Sequence, residues 1–255
     1  MEPFKSFQVE KLEVEIYQNK TLGGKAAAEW VTAQLQEAID TRNEANLILS
    51  MGASQFEFLD ALANHDNLEW SKIRVFHLDE YKGISIDHPA SLAKNLKERM
   101  LDKVHPKQIW FLNGQAQNLE KEMNEYAEKL TQYPADVACI GIGENGHLAF
   151  NDPPVADFVD PELVKLVELD KTCRMQQVGE GWFESLNEVP TLALSLTIPA
   201  IMRSENLSCV VPDKRKANAV AAALYGPITT DCPASILRTH DHAILFLDPG
   251  SAGKI

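Results

Sequence analysis

The amino-acid sequence predicts an α/β fold, namely a Rossmann-like, mostly parallel sheet with helices on both faces. Two observations lead to this prediction. Short β-rich runs alternate with longer helical patterns along the chain, which is typical of βα units around a parallel sheet. Several of the runs, such as 136–142 and 207–211, are almost continuously apolar, as strands are when helices cover both faces of the sheet.

The predicted elements follow one another without a linker. Three helices are indicated by apolar residues that recur every three or four positions, with faces that begin at Ala27, Phe56 and Leu119. The 255 residues contain no internal repeat and no Pro/Gly/Ser-rich stretch, so we expect one domain over 1–255. The predicted strands are Leu12–Tyr17, Asn46–Ser50, Ile73–Asp79, Gln108–Leu112, Asp136–Ile142, Leu163–Leu169, Thr191–Thr197, Leu207–Val211 and Ala243–Asp248.

The charge balance argues against two classes of partner. Lys plus Arg number 24 and Asp plus Glu 37, which gives a formal net charge of −13. A field of this sign repels nucleic acid and anionic membrane surfaces. The most apolar segment, 189–202, contains Pro190 and Pro199 and falls short of the roughly 18 apolar residues that a membrane span needs. We therefore expect no nucleic-acid and no membrane partner.

The cysteines and the first residues predict a cytoplasmic protein. The four cysteines are scattered and form no C-x-x-C pair, so neither a disulfide framework nor a metal site is predicted. The first residues show no basic head followed by an apolar stretch, as a signal peptide would. Nothing in the composition fixes an assembly state, and a homo-oligomer stays open.

Two strand ends carry patterns suited to binding an anion. In parallel α/β sheets, ligands bind beyond the carboxyl ends of the strands. Gly52, Ala53 and Ser54 follow one predicted strand, where free amides at a helix start can hold a phosphate; an ordinary tight turn with Ser54 as the N-cap is the alternative. Lys214–Lys216 follows another strand and indicates either an anion site or solvated surface lysines.

The third strand end carries two adjacent carboxylates, Asp79 and Glu80. Successive residues of a strand point to opposite faces, so these two side chains are expected to do different jobs. The alternative is an acidic turn that caps the next helix.

The fourth strand end is rich in glycine. Gly141, Gly143 and Gly146 spell G-x-G-x-x-G, a pattern typical of dinucleotide sites when a helix follows. Pro153 and Pro154 come too soon for that helix, which disfavours a dinucleotide cofactor. The loop also presents the acid–base candidates Asn145, His147 and Asp152.

These motifs together resemble a known family over 20–248. FHLDEYKG at 76–83, HPAS at 88–91, GIGENGHLAFNDPP at 141–154 and LALSLTIPAIM at 192–202 are similar to stretches of the glucosamine-6-phosphate deaminase (isomerase) family. That family shares its fold with 6-phosphogluconolactonase. The residues after Asp79 and the end of the 141–154 loop are similar to the deaminase branch.

The resemblance implies roles for individual residues. Asp79 matches the base that moves a proton between C2 and C1 of the open-chain sugar, and His147 matches the residue that opens the pyranose ring. Asp152 stands where the family usually has Glu, as the acidic partner of that histidine. Asn145 stands where the family usually has Asp, so one charge is missing here.

The resemblance also implies binding residues and a reaction. Gly52, Ala53, Ser54 and Lys216 match the phosphate site, while Glu80 and Arg174, the latter at the position of a lid arginine, are expected to contact substrate. The expected partner is a small-molecule sugar phosphate, with no metal or organic cofactor. The implied activity is that of a hydrolase/isomerase that deaminates glucosamine or galactosamine 6-phosphate. A lactonase and a non-catalytic sugar-phosphate sensor are the alternatives.

Overall fold

An eight-stranded sheet forms the centre of the molecule. The computed structural model describes residues 1–65 and 67–255. The sheet has the strand order β1-β2-β11-β10-β7-β3-β4-β6, in which β1 alone runs antiparallel to its neighbour. Its strands are β1 (Lys5–Val9), β2 (Leu12–Ile16), β3 (Ala45–Leu49), β4 (Ile73–His77), β6 (Gln108–Trp110), β7 (Val137–Ile140), β10 (Asn206–Val211) and β11 (Ala243–Leu247).

A second, smaller sheet lies beside it. It contains three antiparallel strands in the order β5-β9-β8. Its strands are β5 (Asp79–Tyr81), β8 (Val164–Glu168) and β9 (Leu192–Leu196). The helices are α1 (Lys20–Arg42), α2 (Phe56–Ala63), α3 (Leu92–Leu96), α4 (Asp102–Val104), α5 (Leu119–Gln132), α6 (Lys171–Gly179), α7 (Ile198–Met202) and α8 (Ala217–Tyr225), with a π-helical turn at Lys97–Leu101.

The hydrophobic core lies on both faces of the large sheet. On β10, Val210 packs into one apolar cluster, while Cys209 and Val211 on either side of it pack into another, because successive side chains of a strand alternate between faces. Val31 of α1 lies in the first cluster and Val220 of α8 in the second. Helices therefore cover both faces, and the predicted α/β fold is confirmed.

The structure differs from the predicted elements in the second sheet. The predicted strand 73–79 is two strands, since the chain leaves the large sheet after His77 and enters the small one at Asp79. The predicted strands 163–169 and 191–197 pair antiparallel in that small sheet instead of joining the large one. Periodicity predicts that a strand exists but does not say which sheet it joins. The single sheet expected from the sequence is therefore corrected to two, although the strands themselves are present.

Two further features complete the comparison with the predicted elements. β1 was not predicted, because its residues are mostly exposed and its sequence, KSFQV, contains only two apolar side chains. Within the described residues, no helix is both long and apolar enough to cross a membrane.

Candidate active site

A pocket opens where β3, β4, β7 and β10 end. Its volume out to bulk solvent is about 570 Å³, within the usual range for small-molecule sites. The position is the one that parallel α/β sheets use for ligands. The predicted site residues that line it are Gly52, Ala53, Ser54, Asp79, His147 and Lys216. Six residues that the sequence distributes over 165 positions (52 to 216) thus meet at one place.

Asp79 is a buried carboxylate that faces this pocket. It begins β5, opposite Ser195 of β9, and is 6% exposed. Burial raises the pKa of Asp79 well above its ordinary value of 3.8, and the neighbouring charge of Glu80 raises this pKa further. Asp79 is a stronger base than an exposed aspartate because its charged form is poorly solvated.

His147 lies at the other side of the pocket, on the glycine-rich loop. Its ring Nδ1 is 2.9 Å from Asp152 Oδ1, and the Asp152 side chain is fully buried. The contact is not aligned as a hydrogen bond. Burial acts to raise the pKa of Asp152, but His147, Asn145 and the backbone N–H of Asp170 outweigh it, so that this pKa is lowered. Asp152 is therefore held as a carboxylate beside the imidazole.

Two glycines give the loop its shape. A Cβ on Gly143 would lie 2.1 Å from Cε1 of His147, so the ring packs directly against a backbone that has no side chain. Gly146 has φ +86°, a conformation that side chains rarely adopt. The pattern that resembled a dinucleotide fingerprint is thus a turn built around the imidazole. Residues 141–157 contain turns and isolated bridges rather than the helix that a dinucleotide site needs.

Asn145 contacts the backbone of His147 and not its ring. Its side-chain oxygen accepts a hydrogen bond from the backbone N–H of His147 (3.1 Å) rather than from the ring. Its Nδ2 donates to Asp152 Oδ1 (2.9 Å) and to Asp170 Oδ2 (3.2 Å). An amide is the group that can bridge two carboxylates, because it supplies donors where a third carboxylate would repel. Asn145 acts on the imidazole through Asp152.

The cationic end of the pocket is formed by Lys216, which is 3% exposed. It ends a 3₁₀ turn, Lys214–Lys216, that leads into α8. Burial lowers the pKa of Lys216, partly offset by the negative charge of Glu180. The Lys216 Nζ to Glu180 Oε1 distance is 3.9 Å. Since Lys214 and Arg215 are exposed, Lys216 alone of this basic triplet faces the pocket.

The Gly52–Ser54 turn lies in the same lining as Lys216. Ala53 starts a 3₁₀ turn that precedes α2, and Ser54 does not cap the helix. Gln55 fixes the turn, since its Nε2 donates to Ser54 Oγ (3.0 Å) and to the carbonyl of Val210 (3.1 Å) at the end of β10. The ends of β3 and β10 are thereby joined beneath the pocket.

The structure places two expected substrate-binding residues away from the pocket. The Glu80 carboxylate accepts hydrogen bonds from Ser91 Oγ and from the backbone N–H groups of Tyr81, Leu92 and Ala93. Glu80 thus holds the start of α3, which is the helix-capping alternative considered for this acidic pair. Its side chain also differs in role from Asp79, as the alternation of strand faces predicted. Burial raises the pKa of Glu80, although these hydrogen-bond donors act to lower it.

Arg174 lies outside the pocket lining. Its Nη2 donates to the carbonyls of Leu186 (2.6 Å) and Val189 (2.9 Å). Arg174 therefore ties together the segment after α6 and takes no part in the pocket lining.

Five polar residues of the lining were missed by the sequence analysis. Two of them, Ser50 and Gln55, flank the Gly52–Ser54 turn, and the other three are Gln176, Gln177 and Glu180. Gln176 accepts a hydrogen bond from the backbone N–H of Glu144 (2.9 Å) and donates to Glu180 (2.8 Å). Glu180 follows Gln176 by four positions and Gln177 by three, the spacing of neighbours on a helix. Their burial depends on how α6 packs, so no local pattern in the sequence marks them.

One group of side chains at the site has metal-binding chemistry. Ligand atoms of His147, Asp152 and Cys173 all lie within 4.8 Å of one another, and all three residues are buried. The thiol comes from α6, far along the chain from the other two. The scattered cysteine spacing, from which no metal site was predicted, gave no indication of this cluster.

Comparison with known proteins identifies the family of this chain. A family model described as glucosamine-6-phosphate isomerases/6-phosphogluconolactonase matches residues 19–164, more than half of the chain. The chain belongs to this family. The resemblance found in the sequence is confirmed.

This chain is more similar in sequence to glucosamine-6-phosphate deaminases than to the 6-phosphogluconolactonase structures with the same fold. A glucosamine-6-phosphate deaminase of Streptococcus pyogenes serotype M18 (strain MGAS8232) is 30% identical over 238 residues, covering 93% of this chain and 97% of that protein. The solved structure of a monomeric glucosamine-6-phosphate deaminase, described as a missing link of the NagB superfamily, has a TM-score of 0.86 at 28% identity and covers 95% of this chain and 99% of its own.

A 6-phosphogluconolactonase structure from Shewanella baltica OS155 has a TM-score of 0.77 at 18% identity and covers 95% of this chain and 100% of its own. At that identity it shows the shared fold alone.

Proposed function

We propose that this protein is a deaminating aldose–ketose isomerase that converts an amino-sugar 6-phosphate to a ketose 6-phosphate and ammonia. The observation that carries the proposal is the placement of Asp79, the His147–Asp152 pair and Lys216 around one pocket. The relatives named as glucosamine-6-phosphate deaminases support the substrate class.

Ring opening is assigned to His147. Opening a cyclic hemiacetal requires removal of the proton on O1 and delivery of a proton to O5. An imidazole performs both transfers near neutral pH, and Asp152 stabilises its charged form from behind. Because the ring rests on Gly143, its orientation is fixed before substrate arrives, which lowers the cost of reaching the reactive geometry.

Proton transfer between C2 and C1 is assigned to Asp79. The carboxylate takes the C2 proton of the open-chain sugar and returns it to C1. The C2 imine that results adds one water and releases one ammonia. A base in a poorly solvated site has a raised pKa, and proton abstraction by it is more favourable than by an exposed carboxylate.

Phosphate binding is assigned to Lys216 and the Gly52–Ser54 turn. The phosphate lies far from the reacting carbons, so its binding energy serves to hold C2 over Asp79. A buried ammonium with one carboxylate 3.9 Å away is a site where an anion gains a strong charge-assisted contact.

The test is ammonia release from glucosamine 6-phosphate and galactosamine 6-phosphate, with hydrolysis of 6-phosphogluconolactone to its acid measured separately. We expect ammonia and ketose 6-phosphate from an amino sugar, and Asp79→Asn to lower turnover by at least about a hundredfold while still binding the substrate. Asp87→Asn, an exposed aspartate nearby, is the matched control. Release from neither amino sugar, or C2 proton exchange with deuterated water at the wild-type rate in Asp79→Asn, would reject the proposal.

A further inference from the structure

A thiol lies beside the His147–Asp152 pair, and the proposed reaction does not use it. Cys173 is 1% exposed and comes from the first turn of α6. Its Sγ, a ring nitrogen of His147 and an Asp152 oxygen lie within 4.8 Å of one another, and His147 Nδ1 is the nitrogen 2.9 Å from Asp152 Oδ1. Thiolate, imidazole and carboxylate are three ligand types that zinc accepts in a tetrahedral site.

The ring nitrogen within this cluster lacks a hydrogen-bond partner. His147 is 8% exposed, and its Nδ1 has no aligned partner among the described residues, although Asp152 Oδ1 is 2.9 Å away. An unsatisfied buried nitrogen costs free energy. A cation held between the nitrogen, the carboxylate and the thiol would give this nitrogen a partner.

The surroundings of the cluster are those of an outer ligand shell. Asp152 is oriented by Asn145 Nδ2 at 2.9 Å on one oxygen and by the backbone N–H of Asp170 at 3.0 Å on the other. The backbone N–H of Cys173 donates to Asp170 Oδ1 at 2.7 Å. Outer-shell hydrogen bonds of this kind orient ligands and strengthen metal binding. The pocket, which His147 lines, provides the entry path.

We propose that His147 Nδ1, Asp152 Oδ1 and Cys173 Sγ form an inhibitory site for a thiophilic divalent cation such as Zn²⁺. The Cys173 thiol gives its proton to solvent on binding, and Nδ1 supplies its lone pair. Water fills the fourth, open position, as in three-ligand zinc sites. This inference concerns a cation and goes beyond the proposed sugar-phosphate chemistry.

Occupation of the site removes the acid–base function of the imidazole. A ring that binds metal through Nδ1 keeps its one proton on Nε2, so Nε2 has no lone pair with which to accept a proton from the substrate. The cation also takes the Asp152 carboxylate away from the imidazole. Zinc is therefore expected to stop turnover without displacing the sugar phosphate.

The first experiment measures metal binding directly, so its outcome does not depend on activity. Chelator-treated protein is titrated with Zn²⁺ against a chromophoric chelator, and separately with Co²⁺, whose thiolate complexes absorb in the near ultraviolet. We expect one Zn²⁺ per chain and a thiolate-to-cobalt band. Cys173→Ser and Cys173→Ala should bind at least about tenfold more weakly, a loss that even outer-shell changes can cause.

The matched control is Cys232→Ser, the one cysteine of the four that is not buried. It should keep both the stoichiometry and the cobalt band. Wild-type affinity in both Cys173 variants, or loss of binding in Cys232→Ser, would overturn the assignment. If the Cys173 variants fail to fold, the wild-type and Cys232→Ser cobalt spectra decide, and bound cobalt without a thiolate band overturns it.

Turnover provides a second measurement. Zn²⁺ should inhibit the wild type reversibly, with activity restored by chelator, and should inhibit each Cys173 variant less relative to its own metal-free rate. Equal inhibition of wild type and variants would place the inhibitory metal elsewhere. A protein that releases no ammonia but binds zinc through Cys173 would reject the proposed function and keep the metal site.

Discussion

The distance between Gly143 and His147 fixes the orientation of the imidazole. Because a Cβ at position 143 would fall 2.1 to 2.3 Å from three ring atoms, Gly143→Ala must push the ring away from its place beside Asp152. A displacement of about 1 Å costs roughly a hundredfold in rate, and we expect a turnover loss of at least that size. Substrate affinity should change little, and steady-state kinetics separate the two effects.

The control for this substitution is Gly23→Ala in α1, where the new Cβ makes only ordinary contacts at 3.7 Å or more. It should retain full turnover. Equal activity of Gly143→Ala and Gly23→Ala would show that the ring position does not matter for the reaction.

Asn145 holds two carboxylates together, and replacing it tests the electrostatics of the pair. In Asn145→Asp, the amide no longer donates hydrogen bonds to Asp152 and Asp170. A third carboxylate takes its place and repels the other two. The added charge stabilises the imidazolium form, so the acid limb of turnover should move to higher pH. The repulsion should also lower the midpoint of thermal unfolding at neutral pH.

The pH profile of turnover with the cyclic sugar and a melting curve measure these two effects. Phosphate affinity should stay at the wild-type value, because Lys216 and the Gly52–Ser54 turn are not altered. Superimposable acid limbs for wild type and variant would mean that position 145 does not influence His147.

Single residues also show the limits of prediction from sequence. Alternation along a strand indicated different jobs for Asp79 and Glu80, and one indeed faces the pocket while the other holds α3. The raised pKa of Asp79 could not be predicted from the sequence, because desolvation depends on every neighbour that covers the carboxylate. The place of Cys173 beside His147 depends on how α6 packs, which no local pattern encodes.

At the scale of elements, the 3₁₀ turn before α8 divides three basic residues between pocket and solvent. Lys216→Ala should weaken binding of a phosphorylated sugar by roughly 1.5–3 kcal/mol, the range for a hydrogen bond to a charged group. The unphosphorylated sugar should bind as before. Lys214→Ala is the matched control, since Lys214 is exposed in the same turn. An equal loss for both ligands with Lys216→Ala would remove Lys216 from the phosphate site.

Glu180, the residue that follows α6, places a negative charge beside the proposed phosphate site. Glu180 is 3.9 Å from Lys216 and 5% exposed, and it also accepts from Gln176 and from Trp182 Nε1. A carboxylate near a bound phosphate repels it, so Glu180→Gln should tighten binding of phosphorylated sugars several-fold. Calorimetry with wild type and variant measures this, with Glu184→Gln, an exposed glutamate further along the chain, as the control. Weaker binding in Glu180→Gln would mean that Glu180 contacts the sugar directly.

The elements themselves were largely predictable. All nine predicted strands exist, because apolar β-rich runs and turn residues mark them locally. The partition of these strands between two sheets was not predictable, since β8 and β9 have the same composition as strands of the large sheet. β9 pairs with β5 through residues more than 100 positions apart, and β8 joins the small sheet only through β9. One domain over the whole chain stays a prediction.

At the scale of the whole molecule, the buried charge of Asp79 opposes folding at neutral pH. Its pKa in the folded state is above the ordinary value of 3.8. The folded protein therefore holds a proton that the unfolded chain has already released, and stability falls as pH rises from about 4 through the raised pKa. Asp79→Asn removes this penalty.

We expect the Asn variant to have a higher unfolding midpoint than the wild type at pH 8, with the difference shrinking as pH approaches 4. Thermal unfolding of both proteins across this pH range measures the effect, and Asp87→Asn is again the exposed control. A pH-independent difference would contradict the assigned desolvation of Asp79. The same proton should govern activity, since the base works only when ionised, so kcat/KM should fall as pH drops through a value above 4.

One residue, Leu78, joins the two sheets directly before Asp79 in the chain. The N–H of Leu78 donates to Leu49 of β3 in the large sheet, and its carbonyl accepts from Leu196 of β9 in the small sheet. The angle between the sheets therefore sets where the carboxylate lies relative to His147. Substitutions that repack the apolar layer between the sheets move the base without touching the pocket. Libraries for changing the substrate of this protein should include that layer, because mutagenesis confined to the lining leaves the position of the base unexplored.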